Sequence, residues 1–361
     1  MTRSARFITV LVAGVVLGAV SFSVWASDGA ADTADTTVIV AIGTTTTSST
    51  TTVLPLTTVQ STTTTTELAR GSLVIHGTGD VAVDPEYIPT LASEGWDHAW
   101  SGLDGLFLED DLTVINLECV PSDIGSALDK AFTFRCPTEA LPSIAANGIE
   151  VVNMGNNHSG DFGKEALVDG RSNLIAVGLG VVGAGADVHE AGAPAIYEIN
   201  GWTVAVVGFG GVAPSESWYA TEDRAGMRSG DHNDQMVEAV AAAAQVADLV
   251  VVTIHWGVEL DTKPRAEDIT RAEEMIAAGA DVIFGHHPHR MQPLDFIDGK
   301  PVFWSLGNFV WPRNSVASAT TAVARVVVTP DGTIDACLIP AFIETHGHPV
   351  LTGEPTCGPG S

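Results

Sequence analysis

Gly285-His286-His287-Pro288-His289 ends the apolar run Asp281-Val282-Ile283-Phe284, and its reading decides the fold. Three imidazoles within four residues are more than packing requires. Side chains two apart on an extended segment point the same way, so His287 and His289 are expected to face one ion. Pro288 fixes φ between them and lowers the entropy lost in holding the pair. The apolar run lacks the alternation of a half-exposed strand, which implies a strand covered on both faces. Upstream, Leu249-Val250-Val251-Val252-Thr253-Ile254 has the same character and ends on His255. Between the two lies helical spacing over 266–278, with Pro264 near its start and Gly279 beyond its end.

The pattern recurs toward the N-terminus. Leu73-Val74-Ile75 leads into Gly77-Thr78-Gly79-Asp80, residues 111–117 lead into Glu118, and residues 149–154 lead into Gly155-Asn156-Asn157-His158. Helical spacing covers 138–147, 164–177 and 234–247, and residues 181–185 read as a weaker strand. Residues 195–199 and 202–209 flank Asn200-Gly201, a pair suited to a type I′ hairpin turn. Pro301 to Leu306 runs into Gly307-Asn308, and 321–328 with 334–339 form a last hairpin around Asp331-Gly332. Strands alternating with helices predict an α/β fold with a largely parallel sheet. Ligands of such sheets bind outside the carboxyl ends of the strands. Here five strands bring Asp80, Glu118, Asn157 with His158, His255, and His287 with His289 to that edge. Each has an ordinary explanation taken singly, as a turn carboxylate, a helix-capping acid or a core histidine. All five together are far less readily explained that way.

Carboxylate, imidazole and amide oxygen donors suit Mn, Fe or Zn, and there are enough of them for one or two divalent ions. The expected ligands are Asp80, Glu118, Asn157, His255, His287 and His289, with Glu118 or Asp80 as the bridge. Two ions about 3.5–4 Å apart can activate a water and clamp a phosphate ester during in-line displacement. His158, beside Asn157, is suited to protonate a leaving group. Asp161 either orients His158 or closes an Asx-type turn before Gly163. His286 and Asn308 are expected to contact substrate, Asn308 having the forming of its own turn as the competing role.

Gly79-Asp80, Asn116-Leu117-Glu118, Asn156-Asn157-His158-Ser159-Gly160-Asp161-Phe162-Gly163, His255-Trp256-Gly257, the His286–His289 cluster and Ser305-Leu306-Gly307-Asn308-Phe309 occur in that order. Over about Ser72 to Trp311 they resemble the CapA capsule-synthesis family, associated with poly-γ-glutamate production, within the calcineurin-like metallophosphoesterase superfamily. The resemblance implies a four-layer α/β/β/α sandwich. It places Asp80 as the first-strand metal aspartate, Glu118 at the bridging acid, Asn157 and His158 as the Asn-His pair, and His255, His287 and His289 as the later histidines. It further implies membrane polymer synthase or exporter subunits as partners and an anionic polymer or a phosphoester as substrate. Two positions depart from the superfamily pattern. Asp80-Val81-Ala82 replaces Asp-x-His, and the bridging acid is a longer Glu. The expected activity is therefore either a metal-dependent hydrolase or a non-catalytic accessory subunit that binds metal or polymer.

Arg3 and Arg6 precede Phe7 to Trp25, an uncharged and mostly apolar run of 19 residues. It reads as a signal peptide, with Ala26 as the last residue, or as an uncleaved anchor. Either way the bulk of the chain is expected outside the cytoplasm. Residues 27–70 hold the runs 44–47, 50–52 and 62–66 of threonine and read as a disordered stalk. The folded domain is assigned to 71–345. A flexible tail follows over 346–361, including His346-Gly347-His348. Net charge is −28, from 44 acidic and 16 basic residues, which excludes the basic footprint of a nucleic-acid partner. Four cysteines outside the cytoplasm invite pairing, and the local pairs Cys119–Cys136 and Cys337–Cys357 are the simplest.

Overall fold

The strand Leu73–Val81 organises the larger of the two main sheets among the described residues; a third, of two strands, pairs Ala184–Gly185 with Gly226–Met227. On one side it runs parallel to Leu112–Leu117, followed by Val151–Asn153 and Gly180–Val182, also parallel. On the other side it pairs antiparallel with Thr320–Val328, which pairs with Ile334–Thr345, and that strand with His348–Leu351. Asn308–Val310 lies parallel to the end of Leu73–Val81, with Asp80 opposite Asn308. The second sheet has the order Leu294–Ile297, Lys300–Phe303, Val282–His286, Leu249–His255, Trp202–Gly210, Ala195–Ile199. Its four inner strands are parallel and its two edge strands antiparallel. This computed structural model describes residues 69–358. The expected signal segment and nearly all of the expected stalk lie outside the described residues.

Both sheets are thus mixed, with parallel centres. In the second sheet the antiparallel edges arise where the chain turns back within two residues, a distance too short for a parallel crossover. Asn200 and Gly201 turn at φ 50° and 80°, and Asp298 and Gly299 at φ 48° and 76°. Both pairs have the left-handed conformations of a type I′ turn. The second has little hairpin signal in sequence, because Leu294–Ile297 on its far side is short and partly polar.

The sheets face each other through a shared apolar core. Leu73, Ile75, Val114 and Val326 of the first meet Val206, Val251, Val282 and Phe284 of the second. At Gly77 the approach is close: an added Cβ would lie 2.9 Å from the Phe284 ring. The outer face of the first sheet carries Ile115, Val152 and Val323, packed with Ile144, Leu167 and Leu174 from helices Leu141–Ala146 and Lys164–Ala176. The outer face of the second packs Val207, Val252 and Ile283 on helices Asn233–Ala244 and Ala266–Ala277. In Ala266–Ala277 the buried Ala272, Met275 and Ile276 follow i, i+3, i+4 spacing, and Glu267 and Asp268 favour the positive end of the helix dipole.

Residues 346–358 correct the expected flexible tail. His348–Leu351 and Thr356–Cys357 both pair with Ile334–Thr345. Gly347 N donates to Trp311 O at 2.9 Å, and His348 stacks on His98 at 4.2 Å. Short, Gly- and Pro-containing strands on a sheet edge carry little periodic signal, so only the completed sheet selects them. Both expected disulfides are present, Cys119–Cys136 and Cys337–Cys357, spanning 17 and 20 residues. Loops of that size restrict the unfolded chain by about 3 kcal/mol on the loop-entropy account.

At the opposite end of the strands from the histidines, the Glu150 carboxylate accepts from Thr113 N at 2.7 Å. Burial, and next Asp110 and Asp111, push its pKa from 4.5 up to about 8, the Thr113 bond opposing. The folded chain therefore keeps a proton that the unfolded chain releases above 4.5. Stability from this group is present at low pH and falls as pH rises toward 8. Glu150→Gln is expected to flatten that slope, read as the difference in denaturant midpoint between pH 5 and pH 8. An unchanged slope would exclude Glu150 as its source.

Candidate metal centre

The carboxyl ends of the central strands of both sheets meet at one edge, and the expected residues converge there. Glu118, buried just past Leu112–Leu117, is the middle of the group. Its Oε1 lies 3.5 Å from His255 Nε2, 3.8 Å from His289 Nε2 and 3.9 Å from His158 Nε2. Two overlapping sets of donors form, Asp80 with Glu118 and His255, and Glu118 with His287 and His289. Within each set the donor atoms lie within 4.8 Å of one another. Asn157 Oδ1, 2.7 Å from His255 Nε2, joins the first. Glu118 is common to both sets.

Buried polar atoms without partners mark where a ligand fits. Neither oxygen of Glu118 has a hydrogen bond, nor do His286 Nδ1 and His287 Nδ1. Such groups are costly to bury unpaired. Burial, and then the Asp80, Glu259 and Asp161 charges, hold the Glu118 carboxyl well above its usual range. Burial and neighbouring imidazoles hold His255 well below its usual value and His287 at about 3. Asp80 is lowered, since the nearby histidines outweigh the effect of its burial. Neutral imidazole is the form that ligates metal, and burial favours it at His255 and His287. The donor set fits a divalent ion of the Mn, Fe or Zn type.

His287 and His289 do not use the alternation of an extended segment. The strand ends at His286, and His287 and His289 adopt φ 95° and 52°. The two rings still come within 5.9 Å of each other, because a turn with two left-handed residues brings them round. Leu260 N, donating to Pro288 O at 2.8 Å, holds that turn. Left-handed backbone at non-glycine residues is strained, and such strain concentrates at functional sites. His289 Nδ1 donates to Asn308 Oδ1 at 2.8 Å, which turns its Nε2 toward Glu118.

The two expected substrate contacts, His286 and Asn308, are both buried. His286 is buried, with Nε2 3.1 Å from Thr253 Oγ1 and Nδ1 3.8 Å from Asp80 Oδ1. It lies beneath the carboxylates, because it is still in the strand and alternation turns it inward. Asn308 is also buried, and its amide is engaged at both ends, by His289 and by Ser318 O at 2.9 Å. It orients His289 and lines the same cleft as His158 and His289. Ala82, where the Asp-x-His pattern has its second ligand, is buried and offers no donor.

His158 is held by residues that the sequence left largely unmarked. Its Nδ1 donates to Asp161 Oδ2 at 2.6 Å, so Asp161 does orient it. Asp161 also accepts from Phe134 N at 2.8 Å and from Lys130 Nζ, while Lys130 Nζ donates to Asn157 O at 2.7 Å. The Phe134 ring packs on His158 at 4.3 Å. Lys130 and Phe134 lie on the irregular loop that the Cys119–Cys136 bond closes, and the bracketing cysteines were the only sequence signal for it. Asn116 was quoted without a role; its Nδ2 donates to Asp80 Oδ1 at 2.9 Å and lies 3.2 Å from His255 Nδ1.

A family model described as bacterial capsule synthesis protein PGA_cap matches residues 74–313. The PGA biosynthesis protein CapA of Bacillus subtilis (strain 168) is 28% identical over 258 residues, covering 71% of this chain and 67% of that protein. The capsule biosynthesis protein CapA of Bacillus anthracis is 31% identical over 220 residues, covering 60% of this chain and 53% of that protein. A probable polyglutamine synthesis accessory protein of Mycobacterium tuberculosis is 30% identical over 210 residues, 55% of each chain. The match thus spans from about half to two thirds of those relatives' lengths.

Proposed function

The chain belongs to the bacterial capsule-synthesis family PGA_cap, and on that premise we propose that it serves capsule or poly-γ-glutamate synthesis or export outside the cytoplasm, as a metal-dependent phosphoester hydrolase. The observation that carries the chemistry is the unpartnered Glu118 carboxylate among His158, His255 and His289. Two sheets sharing a core, with helices on their outer faces, support the four-layer α/β/β/α reading. The apolar run after Arg3 and Arg6 and the two disulfides support an extracytoplasmic location. Synthase or exporter subunits in the membrane are the partners this role requires.

In this reading Asp80, Glu118, Asn157, His255, His287 and His289 would hold one or two divalent ions, of Mn, Fe or Zn. A divalent ion bound there would supply Lewis acidity, polarising a phosphoryl oxygen and acidifying water. The chain itself manages the proton. Asp161 keeps Nδ1 of His158 protonated and leaves Nε2, on the Glu118 side, to carry a proton to the leaving oxygen. Lys130 and Phe134 N fix Asp161, and the Phe134 ring keeps water off the imidazole.

Ala82 favours a second reading, in which the site binds metal or polymer without turnover. Elemental analysis of protein purified without chelator, with a phosphomonoester and phosphodiester panel, separates the two. The hydrolase reading predicts at least one ion per chain and turnover abolished by chelator. Bound metal with no turnover on any ester would leave the accessory role.

A further inference from the structure

A cleft of about 290 Å³ opens from the candidate centre, with His158 and His289 at its inner end. One part of its wall is a continuous run of aromatic rings, and the uncharged Asn308, Asn314, Ser315 and Ser318 also line it. Phe134 packs on His158 at 4.3 Å, and Trp311 packs on His289 at 4.8 Å. Phe134 meets Trp311 edge-on at 5.3 Å and Tyr87 edge-on at 4.7 Å, and Tyr87 reaches Phe132 at 6.5 Å. The run ends in the open, for Phe132 and Leu260 at the lip are each 60% exposed. Isolated exposed apolar residues need no explanation, but an apolar track from solvent to two site histidines does.

The charges of the cleft are as informative. Arg290 is its one cationic lining residue, and Glu259 faces the same space. Arg290 Nη1 already donates to its own neighbour, His289 O, at 2.7 Å. Lys130 nearby is engaged by Asp161 and Asn157 O. A polyanion threading this cleft would meet no series of cations, and the chain as a whole carries −28. The lining suits an uncharged apolar chain next to a single anionic headgroup.

We infer that the substrate is a phosphoester of a long-chain apolar alcohol, its phosphate at the Glu118 and histidine cluster and its chain along Phe134, Trp311, Tyr87, Phe132 and Leu260. The inference rests on the hydrolase reading for its headgroup and names the group on the other side of the ester. Hydrolysis adds water across the ester, breaking one P–O bond. The hydroxyl of water goes to phosphorus, and its proton goes through His158 to the alcohol oxygen. An apolar chain emerging at the lip also suits a protein whose sequence places a 19-residue apolar run near its N-terminus.

The test uses the full chain loaded with Mn²⁺ and the alkyl phosphates from methyl to decyl, kept below micelle formation. kcat/KM is expected to climb with chain length, by up to about fourfold per methylene, the ceiling for complete burial of a CH₂. Phe132→Ala and Leu260→Ala, at exposed positions where truncation opens no core cavity, should each lower the decyl-to-methyl ratio. Calorimetric Kd values for decyl phosphate, methyl phosphate, decanol and a hexose 1-phosphate provide a readout independent of turnover. Turnover that ignores chain length overturns the inference and leaves the hydrolase reading standing. Absent turnover, with decyl phosphate bound tighter than methyl phosphate and decanol, sinks the hydrolase reading and supports the ligand class. Decanol binding as tightly as decyl phosphate, or a preference for the hexose phosphate, overturns the inference.

Discussion

Replacing His158 with asparagine is expected to lower turnover by about 10²–10⁴-fold while bound metal stays at its wild-type level. The ring is placed to carry a proton and not to be a ligand. Its Nδ1 is committed to Asp161 at 2.6 Å, and its Nε2 lies 3.9 Å from Glu118 Oε1. His158 belongs to neither of the two donor sets that Glu118 joins. Its loss should therefore leave the ions in place. The comparison requires kcat on the best ester of the panel, metal per chain by elemental analysis, and the thermal midpoint. The midpoint matters because the imidazole packs on Phe134, and a shortened side chain leaves some space there. A fall in metal matching the fall in kcat would make His158 a ligand. A wild type with no metal-dependent turnover would return the site to an accessory role.

Glu118→Gln should have the larger effect on binding, with an opposite effect on the bare protein. The carboxylate is completely buried and both oxygens lack partners, so without metal it is a burden on the fold. Its pKa is held well above the ordinary 4.5, chiefly by burial and next by Asp80. A raised carboxyl pKa gives stability that is present at low pH and falls as pH rises above 4.5. At neutral pH the metal-free Gln variant is thus expected to be more stable than metal-free wild type, with a flatter pH dependence. The same change removes the donor common to both ligand sets, so metal content should drop. Added Mn²⁺ should then no longer raise Tm, whereas at 100 times its Kd it would stabilise wild type by about 2.7 kcal/mol. Equal metal content and an equal Mn²⁺ shift in the two proteins would remove Glu118 from the centre.

Sequence alone determined the parts of this protein that depend on local chemistry. Apolar runs ending on Asp80, Glu118, Asn157, His255 and the 286–289 cluster identified the strands and the edge that gathers the donors. Asn200-Gly201 specified its hairpin, since type I′ geometry restricts the residues that can occupy it. The two disulfides match the local pairing that is the simplest of the three open to four cysteines. Tertiary structure alone decided which neighbours each group meets. Nothing local made Asn308 the support of His289. The left-handed turn at His287 and His289 replaced the extended geometry that periodicity suggested, because periodicity describes a strand and the strand stops at His286. Lys130 and Phe134 acquire their roles only when the loop closed by Cys119 and Cys136 folds onto Asp161. The edge strand His348–Leu351 likewise exists because Ile334–Thr345 offers it unpaired backbone groups. In each case the deciding contact joins residues distant in sequence or on an irregular segment, where local pattern carries no information about the partner.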